Sequence, residues 1–349
     1  MPPNIESVLP PLKPESLQCI YRLQRYVPPK DERRYPKRRS AAVAVVLFVG
    51  RLGDLYVLLS TRAGDMRTYA HDTALPGGKY EEGDIHAEGT ARREAFEEIG
   101  LPMDTDKVRK LCELEKFLTG NSLIVTPVVF VITDHTLTPL INPSEVKRLF
   151  SMPLNSFLHS KPSKIPSFHY RISHRINTIP SWVIDSIPPP PSISYANSKT
   201  VNTKTSDNND EKCNQDEEEA EEDDDEQEKE EIKNRSKFYN YRDVNWGNGP
   251  VRFHRFLTGR EIQGVKPVYG LTAAILIQSA MLGYDQKPDF PIHAPGQESM
   301  KDRILYDVGH GQGPLKRAID IEGLWDDWKL DEADGMEMKQ FKDNAKAKL

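Results

Sequence analysis

Leu75-Pro76-Gly77-Gly78-Lys79, followed after Asp84 by Arg93-Glu94-Ala95-Phe96-Glu97-Glu98-Ile99-Gly100, is the stretch on which the reading of this chain turns. Ala87 to Ile99 predicts a helix, with Asp84 as the expected N-cap, Gly100 as the stop and Pro102 just beyond. Residues three and four apart share a helix face, so Glu94, Glu97 and Glu98 project together. Ala91, Ala95 and Ile99 lie on a neighbouring face and can pack on a sheet. Arg93 sits one turn before Glu97 and can orient it. Three carboxylates on one face repel one another unless a cation neutralises them, and oxygen-only ligands favour Mg2+ or Mn2+ over zinc. Alone, the carboxylates read first as an exposed acidic face. The glycine pair changes that reading, because Gly77 and Gly78 let the backbone turn tightly and come close to a ligand. A site of this kind suits attack of water on a pyrophosphate, the metal offsetting phosphate charge and lowering the pKa of water.

Ser40 to Val49 is rich in Ala and Val and reads as a buried strand. Leu55 to Ser60 reads as its hairpin partner after a turn at Gly53-Asp54. Leu111 to Leu118 and Leu123 to Ile132 are expected strands, separated by Gly120-Asn121. Pro143 to Arg148 reads as the opening of a short helix, and Phe150 to Leu158 leads into another element. Val251 to Leu257 reads as a strand. Tyr269 to Met281 reads as an apolar helix of about 13 residues, too short to cross a bilayer. Residues 15–26 can form a helix with Leu17, Ile20 and Tyr21 on one face. Residues after about 285 are polar, with little periodicity.

Gly78, Asp84 and Arg93-Glu94-x-x-Glu97-Glu98-x-Gly100-Leu101 resemble the Nudix box, G-x5-E-x7-R-E-U-x-E-E-x-G-U, where U is a bulky aliphatic. Asp84 stands where the box has Glu, eight residues rather than seven separate it from Arg93, and Ala95 stands at the first U. Upstream, Leu58-Leu59-Ser60-Thr61-Arg62-Ala63-x3-Arg67, then His71 and Leu75-Pro76-Gly77-Gly78, resembles the signature of Nudix coenzyme A diphosphatases, L-L-T-x-R-S-x3-R-x3-G-x3-F-P-G-G. Arg62 and Arg67 match it. Ser60, Ala63, His71 and Leu75 stand for Thr, Ser, Gly and Phe. Asn142-Pro143-Ser144-Glu145-Val146 leading to Pro153-Leu154, and Tyr269-Gly270-Leu271-Thr272-Ala273, look like the same subfamily. The resemblance covers roughly residues 40–160 and 250–283.

The resemblance implies an α/β fold, the Nudix α/β/α sandwich around a mixed β-sheet. It implies cleavage of the diphosphate of coenzyme A or an acyl-CoA to 3',5'-ADP and (acyl-)4'-phosphopantetheine. Glu94, Glu97 and Glu98 are then the Mg2+ (or Mn2+) ligands, with Arg93 beside them and Gly77, Gly78 and Lys79 in the substrate loop. Arg62 and Arg67 are candidate phosphate ligands, since guanidinium forks match phosphate oxygens, although structural arginines are as good a reading of each. Glu145 is a further candidate acid, but its context also reads as a helix start with a first-turn carboxylate, and that capping role is preferred. The acid that takes the proton from water is Glu94, Glu98 or Glu145. Two alternatives stay open. One is hydrolysis of another nucleoside diphosphate derivative, such as ADP-ribose, a dinucleotide or a capped RNA. The other is a catalytically silent Nudix module that binds a ligand.

The 349-residue chain suits one large domain with embellishments or two small ones. A Nudix domain is expected over 39–285, with an N-terminal extension over 1–38 and a C-terminal tail over 286–349. Within the domain, residues 188–236 carry Pro188 to Pro191, a Ser/Asn/Thr tract and an acidic run. They have too little apolar surface to offset chain entropy and are expected to be a disordered acidic insertion. Asp207 to Glu231 holds about sixteen acids against two lysines. Without them the formal net charge of −6 becomes about +8, which suits a polyanionic substrate. Arg33, Arg34, Lys37, Arg38 and Arg39 form a basic cluster, read as a solvated linker before a phosphate-contacting arm.

No run of about 18 apolar residues occurs, and Met1-Pro2-Pro3-Asn4 does not open a secretory signal, so neither a membrane span nor secretion is expected. Cys19, Cys112 and Cys213 lie far apart and read as free thiols. The last residues, Ala347-Lys348-Leu349, come close to the Ser-Lys-Leu peroxisomal address. They lead to the expectation of an import receptor as partner and a peroxisomal location, otherwise a cytoplasmic one. The expected partner at the site is a small molecule, not a nucleic acid.

Overall fold

The computed structural model describes residues 5–64, 70–162, 237–310 and 313–328. The expected acidic insertion at 188–236, Cys213 and the tripeptide 347–349 lie outside the described residues.

The Ala/Val-rich segment forms β1 (Ser40–Val49), and it alternates as a two-sided strand must. Ala42, Ala44 and Val46 face one side, and Val45 and Leu47 the other. β2 (Leu55–Arg62) turns back on it through Gly53, and β7 (Ile124–Ile132) runs parallel on its other side. β3 (Thr73–Ala74), β4 (Gly77–Lys79), β5 (Val108–Glu113), β6 (Phe117–Leu118) and β8 (Val146–Pro153) complete an eight-stranded sheet in which every other pairing is antiparallel. Its order is β3-β2-β1-β7-β5, with β4 on β1, β6 on β7 and β8 on β2.

On one face lies α3 (Ala87–Ile99), which buries Ala91, Ala95 and Ile99 against Ala42, Ala44, Val46, Val128 and Phe130. On the other lie the short α1 (Ile5–Val8), α2 (Pro14–Arg25) and α4 (Gly270–Tyr284). α2 and α4 touch so closely that a Cβ at Gly283 would stand 2.3 Å from Cys19 Sγ. The mixed sheet between helical layers is the architecture the sequence implied. A second sheet, β9 (Tyr239–Trp246), β10 (Gly249–Phe256) and β11 (Val268–Tyr269), is antiparallel and joins the α4 layer through Phe256 and Val268. α5 (Met300–His310) and α6 (Pro314–Glu322) close a smaller cluster over Leu118 and Ile124.

Several expectations need correction. Pro143 to Arg148 does not open a helix. Asn142 O accepts Glu145 N–H and Val146 N–H, and Asn142 Oδ1 accepts Ser144 N–H, so a turn satisfies the backbone and β8 follows to cover the edge of β2. Leu111 to Leu118 is two strands rather than one. β5 ends at Glu113 and β6 starts at Phe117, both against β7, with Leu114 N–H on Pro127 O in the break between them. The buried face of α2 is Ser16, Cys19, Ile20 and Leu23, one position round from the face expected. Cys19, Ile20 and Leu23 of this helix, with Ile5 before it, pack in the main core. The segment after 285 carries two helices, because Ile304, Leu305, Val308, Leu315 and Ile319 supply an apolar face among many charges. The basic cluster is structural: Glu322 accepts the Lys37 and Arg38 N–H groups, Arg34 pairs with Asp327, and Arg39 bonds the Asn121 and Ser122 carbonyls.

Candidate active site

The expected limits of α3 hold at both ends, but the cap does not. The N-cap is His86, with no side-chain bond, and Gly100 ends the helix in the left-handed region at φ 66°. Asp84 is used differently. Its two oxygens accept Arg93 Nε–H at 3.1 Å and Arg93 Nη2–H at 3.0 Å, and its Oδ2 also accepts Thr90 Oγ1–H and Glu81 N–H. Burial would raise the Asp84 carboxyl, but the bonds from Arg93, Glu81 and Thr90 outweigh it and hold its pKa below the ordinary value. The guanidinium then reaches three further groups. Arg93 Nη1 donates to Glu94 Oε1 and Glu97 Oε2, both at 3.0 Å, and Nη2 to the Lys79 carbonyl at 2.9 Å. Arg93 thus ties the glycine loop to the helix and holds two of the predicted carboxylates. The Lys79 side chain is exposed, and the arginine uses its carbonyl.

The glycine pair is required by contact. A Cβ at Gly78 would lie 2.2 Å from Glu94 Oε1, and one at Gly77 would lie 2.5 Å from the Ala42 carbonyl. Gly77 N–H also bonds the Glu98 carboxylate. Glu98 is 4 % exposed, and its carboxyl is pushed up to about 8. Burial is the main cause; Arg62 opposes it, while the charges of Glu94 and Glu145 add to it. Glu94 is raised in the same way, chiefly by burial, with Arg93 opposing and Glu97 and Glu145 adding. Arg62 Nη1 stands 3.8 Å from Glu98 Oε1, and its Nε is buried with no partner among the described residues. Arg67 lies outside the described residues.

Glu94, Glu98 and Glu145 therefore share one electrostatic neighbourhood, with Arg62 against it. Glu145 belongs here through the turn that replaced the expected helix start, its carbonyl accepting Ala63 N–H at 2.8 Å. Glu97 is turned away toward Arg93 and is half-exposed. Among the described residues, no three acidic, His or Cys side chains are already gathered around a cation position. The donors present nevertheless suit a hard divalent ion. They are all carboxylate oxygens, and two carry raised pKa values that a cation would relieve.

One anchoring cluster was not foreseen. Lys266 Nζ donates to Asp72 Oδ1 at 2.7 Å and to the Ala70 carbonyl, Tyr269 O–H donates to Asp72 Oδ2, and Thr73 Oγ1–H donates to the Lys266 carbonyl. Asp72 O in turn accepts Arg62 N–H at 3.0 Å. The second sheet therefore grips the strand end that carries Arg62. His71, beside Asp72, has φ 63°, a conformation that favours glycine. The resembling signature has Gly there, and the backbone keeps the shape that a glycine would give it.

A NUDIX domain model matches residues 37–176. The chain is 43% identical over 130 residues to Nudix hydrolase 15, mitochondrial, of Arabidopsis thaliana, covering 37% of this chain and 45% of that protein. It is 33% identical over 172 residues to peroxisomal coenzyme A diphosphatase 1 of Saccharomyces cerevisiae, covering 41% and 51%. The match spans about half the length of these relatives or less. A solved Nudix hydrolase from M. smegmatis, RenU, aligns over 34% of this chain and 73% of its own at 22% identity and a TM-score of 0.29. An uncharacterized Nudix hydrolase, NudL, of Photorhabdus laumondii is 32% identical over 151 residues, 43% of this chain and 75% of that protein. With that share of a relative matched at that identity, the chain belongs to the Nudix hydrolase family.

Proposed function

We propose that this protein is a divalent-metal-dependent pyrophosphohydrolase that cleaves the diphosphate of coenzyme A or an acyl-CoA. The carrying observation is the placing of Glu94 and Glu98 against the Gly77-Gly78 loop, with Arg62 beside Glu98 and Arg93 fastening loop to helix. Glu94, Glu97 and Glu98 would hold Mg2+ or Mn2+, with Glu97 leaving its contact with Arg93 to do so. The ion supplies charge neutralisation on the diphosphate and acidifies water. Arg62 and Arg67 orient phosphate oxygens. One of Glu94, Glu98 and Glu145 accepts the proton as water oxygen bonds to phosphorus. The bond from phosphorus to the bridging oxygen breaks, and its electron pair leaves with the departing phosphate.

The coenzyme A reading is supported by the Arg62 strand signature and by relatives such as the yeast peroxisomal coenzyme A diphosphatase 1. A peroxisomal location rests on Ala347-Lys348-Leu349 as a receptor-read address. Relatives named mitochondrial and chloroplastic make that the point to test by imaging the intact chain. The activity is tested with purified protein, Mg2+ and a panel of CoA, acyl-CoAs, ADP-ribose, dinucleotides and capped RNA, with product identification. Release of 3',5'-ADP and 4'-phosphopantetheine is the expected result. Much faster turnover of ADP-ribose would overturn it.

A further inference from the structure

Glu145 reaches the carboxylate site from a different part of the chain than Glu94 and Glu98, and Asn142 joins the two parts. Asn142 N–H donates to the Glu98 carbonyl at 2.9 Å, which satisfies one of the open carbonyls in the last turn of α3. The Asn142 carbonyl accepts Glu145 N–H at 3.0 Å and Val146 N–H at 2.8 Å. Val146 stands opposite Arg62 on β2, and the Glu145 carbonyl accepts Ala63 N–H. The turn at 142–145 therefore spans from the helix that carries Glu98 to the strand that carries Arg62.

The side chain of Asn142 is as firmly oriented as its backbone. Oδ1 accepts Ser144 N–H at 3.2 Å and Ser144 Oγ–H at 2.7 Å. Two donors on Oδ1 fix which end of the amide is oxygen, so Nδ2 faces the other way. There it donates to Glu145 Oε1 at 3.5 Å. Among the described residues this is the one hydrogen bond that the Glu145 carboxylate accepts, and Glu145 forms no ion pair. Yet Glu145 stands in the field of Glu94 and Glu98, and its charge adds to the rise of both. A half-buried carboxylate repelled by two others turns to solvent unless a donor restrains it.

We propose that Asn142 is a positioning residue, whose amide holds the Glu145 carboxylate beside Glu94 and Glu98 so that Glu145 acts in the hydrolysis. The inference rests on the function proposed above and gives Glu145 its place in that site. A turn that only kept its shape would need the Oδ1 acceptor and the backbone groups of residue 142, which Asp supplies as well as Asn. The Nδ2 donor is the part that the positioning role alone requires.

Asn142→Asp separates the two roles. It keeps the acceptor for Ser144 and sets a carboxylate oxygen against Glu145 in place of a donor. Asn142→Ser removes the donor without adding charge. Both are made in the full chain, alone and with Glu145→Gln. They are read by thermal melts without metal or substrate, and by steady-state kinetics with Mg2+ and CoA. Asn142→Asp should melt about 2–4 °C below the native chain, and the loss should vanish with Glu145→Gln, which can donate to the new carboxylate. Both Asn142 variants should lower kcat about tenfold, with KM for CoA held within about twofold. Should Asn142→Asp fail to fold, Asn142→Ser carries the test. Native kcat in either folded variant, or an equal melting loss in both backgrounds, overturns the positioning role even if CoA is cleaved. If CoA is not cleaved, the kinetics are run on whichever nucleoside diphosphate derivative is. A tenfold fall there keeps the role of Asn142 while the coenzyme A reading falls. Cleavage of none of them overturns both.

Discussion

Two ion-paired clusters flank the candidate site, and they are built on opposite plans. Asp84 and Arg93 are nine residues apart and join a loop to the helix that follows it. Asp72 and Lys266 are 194 residues apart and join the end of the Arg62 strand to the second sheet. The first fixes the carboxylates themselves, and the second fixes the arginine that faces them. Local geometry is thus supplied by a short piece of chain, while the opposing wall depends on the fold closing over a long distance.

Four substitutions or conditions separate these roles. The largest effect is expected at the point both clusters serve: Glu98→Gln should lower kcat on the order of a thousandfold with little change in folding, measured by steady-state assay. Retained activity would reject the site. Asp72→Asn comes next. It leaves Lys266 short of a counter-charge in a largely buried position, and the melting transition should show a loss of about 3 kcal/mol. An unchanged transition would mean that the second sheet does not hold the Arg62 strand. Asp84→Asn should act on chemistry more than on stability, lowering kcat by about tenfold to a hundredfold as a supporting residue of a metal site does. A stability loss as large as that of Asp72→Asn would erase the contrast.

The smallest effect belongs to the second sheet alone. His254 Nε2–H donates to the Ile292 carbonyl and Nδ1 lies 3.0 Å from the Tyr239 hydroxyl. Burial pushes its pKa down to about 4 from 6.5. The unfolded chain takes up the proton first, so the stabilisation is intact above pH 6.5 and is lost as pH falls toward 4. Denaturation at pH 5 against pH 7.5 should show about 2 kcal/mol of loss, a difference that shrinks in His254→Asn.

The legible parts of the molecule were those whose partners are near in sequence. Ala87 to Ile99 could be delimited to the residue, since Gly100 and the apolar period are local signals. The glycine pair was legible for the same reason, although the contact of Gly78 with the Glu94 carboxylate was not. Asp84 was misread as a cap because helix starts and salt bridges use the same residue type, and the partner that decides between them lies two turns on. Pro143 to Glu145 was misread because Asn142 can satisfy a turn as well as a helix start. Asp72 and Lys266 gave no local signal, since the second sheet brings them together from 194 positions apart.

The clamp at the chain's basic segment has a consequence for biosynthesis. Trp328 seats its indole N–H on the Arg34 carbonyl and its ring on Tyr35, and Glu322 holds the N–H groups of Lys37 and Arg38. These residues lead directly into β1, yet their partners are almost three hundred positions later. On the ribosome the segment leading into β1 can therefore be clamped only after nearly the whole described chain has emerged. Closing so long a loop favours a late assembly step, in which the last helices lock a segment made at the start.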